Sequence, residues 1–190
     1  MTRTPKDEMR SFTLVKKGAR LGCHHCQGML SVFYWGRGPQ GALVCHRDGP
    51  HAEHLARESS DKGSKYGQYA LGRLYWYGWW NGMDFVKQDG AQAVSLYRLA
   101  AAQNLDKAQW SLGVVYESGS GGVARDCVAA LQLHRLAAAQ GHSAALFSVA
   151  ECYQYGRGVR RNKAEAIRWF WRANAAGNTA AKFALRKLLA

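Results

Sequence analysis

Cysteines and histidines near the N-terminus form the group of residues best suited to chemistry. Cys23-His24-His25-Cys26 is followed by Cys45 and His46. Thiolates and imidazoles bind zinc tetrahedrally, and Cys-x2-Cys is a common half-site. No second Cys-x2-Cys or His-x3-His pair completes the ligand set, so the sequence predicts no metal and no cofactor. Zinc on Cys23, Cys26, Cys45 and His46 is the less favoured alternative.

Catalytic motifs are missing from the sequence. It contains no Gly-x-Ser-x-Gly, no phosphate-binding loop and no His-Glu-x2-His, which are the local signatures of several hydrolase, nucleotide-binding and zinc-protease sites. The odd number of cysteines, five, does not indicate a full disulfide framework, and we expect reduced thiols. The sequence therefore predicts a protein that is not an enzyme.

A repeat organises the rest of the chain. Three tyrosines each lie three residues before a glycine, and each is followed by an Asp or Asn and then an alanine-rich stretch; they are Tyr75, Tyr116 and Tyr153. A period of about 37 residues indicates a stacked array of helix pairs. Such arrays are usually binding surfaces.

The first helix of each predicted pair carries one apolar stripe. Leu71, Leu112 and Val149 align between copies. The position two residues earlier is aromatic (Tyr69, Trp110, Phe147), and the position one residue later is small (Gly72, Gly113, Ala150). A small residue allows a neighbouring helix to pack closely. The aromatic column is interpreted as core packing, with the lining of an inner groove as the alternative.

The second helix of each pair begins at a residue type that caps helix N-termini. The predicted caps are Asp48, Asp89, Asp126 and Asn162, whose short side chains can accept from free backbone N–H groups. Gln92 and Glu165 stand at the spacing of a capping box. His134 occupies the place of Tyr97 and Phe170 in the other copies, so it is predicted to be a packing residue.

These patterns predict a basic N-terminal segment at 1–20 and a degenerate first repeat at 21–62. A second repeat with an inserted loop follows at 63–103, a third at 104–140, a fourth at 141–177 and a closing helix at 178–190. A closing helix covers the last exposed face of an array.

The repeat resembles the Sel1-like repeat. The residues that carry the resemblance are Ala108, Leu112-Gly113, Tyr116 and Gly119, and the copy at 145–177 matches the pattern best. The resemblance implies an all-α, right-handed α/α solenoid of about four helix-pair repeats with a C-terminal capping helix. It also implies an adaptor or scaffold that binds proteins, and we expect the groove of the solenoid and the inserted aromatic loop to hold the partner. Tetratricopeptide repeats are the related alternative, but their period is about 34 residues.

Charge suggests one kind of partner surface. The net charge is +13, and basic side chains crowd the C-terminal repeat, including Arg157, Arg160 and Arg161. A solvated face is the favoured interpretation. The functional interpretations are an acidic protein partner or, as the less favoured alternative, nucleic acid or another anionic surface. No apolar run approaches the roughly 18 residues of a membrane span, and the polar, basic N-terminus predicts a cytoplasmic or nuclear protein.

The inserted loop suggests another partner surface. Five aromatic residues crowd there, namely Trp76, Tyr77, Trp79, Trp80 and Phe85. Tryptophan and tyrosine are frequent anchors of binding hot spots. We expect the loop either to contact a partner or to fold back against the first repeat.

Overall fold

In the computed structural model, which describes residues 5–35, 49–80 and 85–189, ten helices and one pair of short strands are present. The chain divides into two compact units, Met1–Gln103 and Asn104–Ala190. The first unit contains α1 (Pro5–Arg20), α2 (His24–Trp35), α3 (Gly49–Asp61), α4 (Lys65–Tyr77), β1 (Trp79–Trp80), β2 (Phe85–Val86) and α5 (Gly90–Ala102). The second contains α6 (Asp106–Ser118), α7 (Cys127–Ala139), α8 (Ser143–Tyr155), α9 (Lys163–Ala175) and α10 (Thr179–Leu189).

Two clusters among the described residues contribute to the core of the first unit. Phe12 of α1, Leu30 of α2 and Leu55 of α3 pack together, and the Phe12 ring meets Phe33 edge-on with 5.5 Å between ring centroids. The basic segment that opens the chain is thus a helix whose apolar side faces α2 and α3. The second cluster is built from small and aliphatic residues of α3 and α4: Ala56, Ala70, Leu71 and Leu74.

One cluster forms much of the core of the second unit. It draws on α7 through α10 and includes Leu131, Leu146, Val149, Phe170 and Leu185, with Trp110 of α6 packed against it. Leu146 and Val149 are one turn apart on α8, as the 3.6-residue period requires. The aliphatic stripe predicted from the repeat therefore lies in the core.

Glycines on the first helix of two pairs give room to a ring on the second. A Cβ added at Gly72 would lie 2.9 Å from Cε1 of Tyr97, and one at Gly113 would lie 2.6 Å from Cε1 of His134. These distances are too short for real contacts, so the helices pack at this spacing only because glycine lacks a side chain. The gain in packing offsets a helix-propensity cost of about 1 kcal/mol.

Cap residues start the second helices at three of the four predicted positions. Asp89 Oδ1 accepts from the Gln92 N–H at 2.9 Å, Asp126 Oδ1 accepts from the Ala129 N–H at 2.9 Å, and Asn162 accepts from the Glu165 N–H at 3.1 Å. Asp48 lies outside the described residues. Side chains at the capping-box positions do not return to the cap N–H: Gln92 donates to the Asp89 carboxylate, and Glu165 pairs with Arg168.

Each of these cap N–H groups is instead used to close the loop. The N–H groups of Asp89, Asp126 and Asn162 donate to the carbonyl oxygens of Tyr75, Tyr116 and Tyr153, each at 2.8 Å. The same bond therefore closes three loops of different length, which explains how an insertion is tolerated in one of them.

Candidate partner-binding site

The inserted loop has an ordered base. β1 pairs antiparallel with β2, with Trp79 opposite Val86 and Trp80 opposite Phe85. Val86 is buried, and Gln88 donates to the Trp76 carbonyl at 2.8 Å. These bonds hold both ends of the loop at the end of α4. The side chains of Trp79, Trp80 and Phe85 lie outside the part of the chain whose side chains the structure describes, so their partner contacts stay a prediction.

Two of the five predicted loop aromatics have described side chains, and they differ. Trp76 is half-buried, with its ring centroid 6.3 Å from that of Tyr97. Tyr77 is 63% exposed. Trp76 therefore packs within the repeat, whereas Tyr77 presents a ring to solvent.

Tyr155 repeats the arrangement of Tyr77. It is the last residue of α8, as Tyr77 is the last residue of α4, and it is 59% exposed. Each ring lies near a guanidinium group: Arg73 is 6.0 Å from the Tyr77 centroid, and Arg157 is 5.0 Å from the Tyr155 centroid. Each unit therefore carries one exposed tyrosine–arginine pair at the end of a first helix. We call these two the tyrosine–arginine pairs.

Arg157 also has two acidic neighbours. One guanidinium nitrogen bonds Glu117, and the other lies 3.9 Å from Glu151 Oε1. The side chains of all three residues are about one-fifth to one-third exposed. The positive charge of Arg157, predicted from the sequence as part of a basic surface, is thus largely balanced inside its own unit.

His134 is the fourth member of this cluster. It is fully buried, its Nε2 lies 3.7 Å from Glu117 Oε2, and neither ring nitrogen has a hydrogen-bond partner among the described residues. We call Glu117, His134, Glu151 and Arg157 the polar cluster. The burial of His134 agrees with its prediction as a packing residue. The carboxylate of Glu117 beside it was not predicted.

The pKa values of the two carboxyl groups in the polar cluster are shifted in opposite directions. The nearby His134 imidazole and the Arg157 guanidinium hold the pKa of Glu117 below its usual value, although burial opposes them. Burial raises the pKa of Glu151 more than Arg157 lowers it. Arg157 therefore forms its closer ion pair with Glu117 and a weaker one with Glu151.

Sequence reasoning missed the polar cluster because its members are not periodic. Glu117 aligns with Trp76 and Gln154 in the other copies, and Arg157 lies 40 residues further along the chain. A detectable signal did exist. In the third repeat, two facing positions that are aromatic in the second repeat are both replaced by ionisable residues, Glu117 and His134.

The predicted basic residues Arg160 and Arg161 lie elsewhere. With Lys163, Tyr153, Val159 and Asn162 they line an open cleft of about 560 Å³ at the start of α9. Arg160, Arg161 and Lys163 are exposed. No carboxylate is among the residues that line this cleft, so its charge is positive.

The N-terminal cysteines do not form a described metal site. Among the residues that the structure describes, no group of three or more His, Cys, Asp or Glu side chains is arranged to hold a metal ion. Cys45 and His46, two of the four ligands of the zinc alternative, lie outside the described residues. Cys23 and Cys26 are adjacent at the start of α2.

Comparison with solved structures finds proteins of similar fold. A protective antigen present in uropathogenic Escherichia coli strains, which displays an SLR fold, matches with a TM-score of 0.74 and 27% identity over 95% of this chain. A Sel1 repeat protein from Oxalobacter formigenes matches with a TM-score of 0.70 and 24% identity over 93% of this chain. The cysteine rich protein B of Helicobacter pylori matches with a TM-score of 0.55 and 19% identity over 73% of this chain.

The chain differs from these structures in length. It spans 36% of the Escherichia coli protein, 67% of the Oxalobacter protein and 96% of the Helicobacter protein. No curated protein matches the sequence closely. Within the described part of the chain, no helix is both long and apolar enough to cross a lipid bilayer.

The Sel1 repeat model matches three consecutive segments, at residues 65–105, 106–142 and 143–178, which together cover more than half of the chain. The predicted Sel1-like resemblance and the predicted all-α solenoid class are confirmed by this match and by the SLR-fold neighbours. Proteins built from Sel1 repeats are generally protein–protein interaction modules and are typically not catalytic. This chain belongs to the Sel1 repeat family.

Proposed function

We propose that this protein is a non-catalytic adaptor that binds one or more proteins through its tyrosine–arginine pairs and the inserted aromatic loop. The observation that carries the proposal is the exposure of Tyr77 and Tyr155 at equivalent repeat positions, each beside an arginine. Tyr77 directly precedes the loop that contains Trp79 and Trp80. The proposal therefore extends one surface from the end of α4 into the loop.

The chemistry of these pairs suits a protein partner. Tyrosine and arginine are enriched among the few interface residues that contribute most binding energy. A guanidinium group near the ring restricts how the exposed side chain moves, so less side-chain entropy is lost on binding. A ring with a polar hydroxyl tip can also bury its apolar part while it keeps a hydrogen bond.

The charge of the chain favours acidic partners. The net charge of +13 raises the rate at which an acidic protein meets this surface. Arg160 and Arg161 are exposed, and they follow Tyr155 of the second unit's tyrosine–arginine pair by five and six residues. We therefore expect partner segments that combine acidic residues with an apolar anchor.

The test compares what wild-type and variant chains capture from a lysate of the native host treated with nuclease. The variant Tyr77→Ala/Tyr155→Ala should lose most of a discrete set of bound proteins. Leu136→Ala, which removes a side chain that is 53% exposed on α7, serves as the matched control and should retain them. Unchanged capture by the tyrosine variant, with an unchanged circular dichroism spectrum, would contradict the proposal.

A second candidate function rests on the basic cleft. Three cations and no carboxylate line the cleft at the start of α9, which favours binding of nucleic acid or another anionic surface. Binding to phosphates weakens steeply as salt rises, by roughly one power of the salt concentration per phosphate contacted. Arg160→Glu/Arg161→Glu should abolish such binding and flatten its salt dependence. Salt-insensitive binding would exclude this candidate and favour the tyrosine–arginine pairs.

The cytoplasmic or nuclear location stays a prediction.

A further inference from the structure

Two cysteines at the start of α2 are placed to react with one another. Cys23 directly precedes the first helical residue, His24, and Cys26 lies in the first turn. The Cys26 N–H donates to Cys23 Sγ at 3.4 Å. We propose that Cys23 and Cys26 form a reversible dithiol–disulfide site.

The two cysteines lie one helical turn apart. Residues three apart in a helical turn have Cβ atoms about 5–6 Å apart, whereas a disulfide has Cβ atoms about 3.5–4.5 Å apart. The N–H bond to Cys23 Sγ shows that this side chain turns back over the first turn of the helix, toward Cys26. Bond formation therefore needs side-chain rotation and a local adjustment of the first turn that brings the two Cβ atoms closer.

The neighbouring helix holds Cys26 in place. A Cβ added at Gly18 of α1 would lie 2.5 Å from Cys26 Sγ and 3.9 Å from Cys23 Cβ. Glycine at this position thus makes space for Cys26 against α1, whereas Cys23 lies at an ordinary contact distance. Both cysteines are partly exposed, and the preceding Leu21 is 78% exposed, so a small reagent in solvent can reach them.

The two thiols differ in the way that exchange chemistry requires. Hydrogen bonds from the Cys26 thiol and its backbone N–H lower the pKa of Cys23, and the partial positive charge of a helix N-terminus acts in the same direction. The neighbouring Cys23 raises the pKa of Cys26, with burial adding to the effect. Because Cys23 Sγ accepts the Cys26 N–H at the helix N-terminus, a thiolate on Cys23 is stabilised, so Cys23 is the attacking thiolate and Cys26 the resolving thiol.

The reaction uses a small-molecule disulfide as the oxidant. The Cys23 thiolate attacks one sulfur of the oxidant, forms a mixed disulfide and releases one thiolate. Cys26 then loses its proton to solvent and attacks Cys23 Sγ, which forms the Cys23–Cys26 bond and releases the second thiolate. Two protein thiols are oxidised and one disulfide is reduced to two thiols, so two electrons pass to the oxidant.

Cys152 provides an internal comparison. It is 1% exposed on α8, and burial raises the pKa of its thiol to about 12. Buried, protonated thiols are inert in exchange. Cys152 should therefore stay reduced under conditions that oxidise the Cys23–Cys26 site.

The test is differential alkylation of the purified full chain equilibrated with mixtures of reduced and oxidised glutathione. Trypsin releases residues 21–37 as one peptide that contains Cys23 and Cys26 and no other cysteine. As the oxidised fraction rises, this peptide should lose two hydrogens and become resistant to alkylation. Addition of a thiol reductant should reverse both changes.

Variants identify the attacking sulfur. Cys26→Ser should accumulate one glutathione on Cys23, while Cys23→Ser should react at least tenfold more slowly at Cys26. Cys127→Ser, a matched control on α7, should leave the result for residues 21–37 unchanged. The wild-type result does not depend on the folding of any variant.

Three results would overturn the proposal. The peptide could stay fully alkylated at every glutathione ratio, or it could carry glutathione on both cysteines without an internal disulfide. Alternatively, both thiols could be protected from alkylation in the reduced protein until a chelator is added, which would indicate a metal site instead.

Discussion

At the residue scale, the third repeat differs from its neighbours at one pair of facing positions. The second repeat has Trp76 facing Tyr97, with ring centroids 6.3 Å apart. The third has Glu117 facing His134 at 3.7 Å. An ionisable pair has therefore replaced an aromatic pair within the same backbone geometry, and Arg157 compensates the charge it brings.

The opposite pKa directions of Glu117 and Glu151 predict opposite effects of pH on two matched variants. The pKa of Glu117 is lowered on folding, so its contribution to stability is present above its unfolded pKa of about 4.3 and is lost as pH falls through the folded value. Glu117→Gln should therefore be less stable than wild type at neutral pH, and the deficit should shrink as the pH falls through the folded pKa of Glu117.

Glu151→Gln is the matched variant with the reverse sign. The pKa of Glu151 is raised on folding, so its contribution is present below the unfolded pKa and is lost as pH rises through the folded value. At neutral pH, Glu151→Gln should be as stable as wild type or more stable, and this advantage should disappear in acid. Thermal unfolding of the three proteins across this pH range measures both effects. Parallel pH profiles would show that the two carboxyl groups are not perturbed as described.

The sequence could predict the packing residues of this region and could not predict its ion pairs. His134 was assigned to packing because aligned copies carry rings, and burial follows from that periodicity. The Glu117–Arg157 pair depends on a contact over 40 residues that occurs in one repeat only. A single occurrence gives no periodic signal, so only the three-dimensional arrangement reveals it.

At the scale of elements, glutamines join successive helices. Gln140, at the end of α7, donates to Gln109 Oε1 at 2.8 Å and to Asn104 Oδ1 at 3.1 Å. Gln103, at the end of α5, donates in the same way to Gln68 Oε1 at 2.8 Å. Gln68 and Gln109 are both buried, 7% and 3% exposed. Each bond gives a buried amide oxygen a hydrogen-bond donor in place of the water that it loses on folding.

The fourth repeat has apolar residues at the same two positions. Leu146 stands at the position of Gln109 and is 4% exposed, and Ala176 stands at the position of Gln140. The third repeat therefore uses a pair of bonded amides at these positions, and the fourth uses a pair of apolar side chains. Gln27, at the same position in the first repeat, is also buried, and its Oε1 has no hydrogen-bond partner among the described residues, so it retains a desolvation cost.

This comparison predicts strong coupling between two substitutions. Gln140→Ala should lower the free energy of unfolding by about 1–3 kcal/mol, because it removes the Nε2 donor to the buried Gln109 Oε1, although Gln109 Nε2 keeps its bond to Asn104. Adding Gln109→Leu should recover most of that loss. Urea unfolding of the two single variants and the double variant measures the coupling. Additive losses in the double variant would contradict the account.

The helix boundaries were largely predictable from local chemistry, and the glutamine bonds were not. Asp89, Asp126 and Asn162 are short polar residues before alanine-rich stretches, and each accepts the predicted N–H bond. Glutamines at exposed helix ends, in contrast, look like ordinary surface residues. Their partners are 31 and 35 residues away, so sequence alone gives no reason to pair them.

At the scale of the whole molecule, a basic chain built from Sel1 repeats carries one exposed tyrosine–arginine pair in each of its two units. The family predicts the class of function, binding to proteins, because repeat helices supply a preformed surface. It does not identify the contact residues, since most exposed positions vary between copies. Tyr77 was predicted as part of the aromatic loop, whereas Tyr155 was recognised only from its exposure and its place at the end of α8.

Site-specific photo-crosslinking in living cells tests this central claim most directly. A benzophenone amino acid would replace Tyr77 or Tyr155, and matched controls would replace Leu99 in the first unit or Leu136 in the second, which are 51% and 53% exposed. The account predicts nuclease-resistant crosslinks to a discrete set of proteins from positions 77 and 155 and few from the two leucine positions. Equal crosslinking at all four positions, or crosslinks that disappear with nuclease, would contradict it.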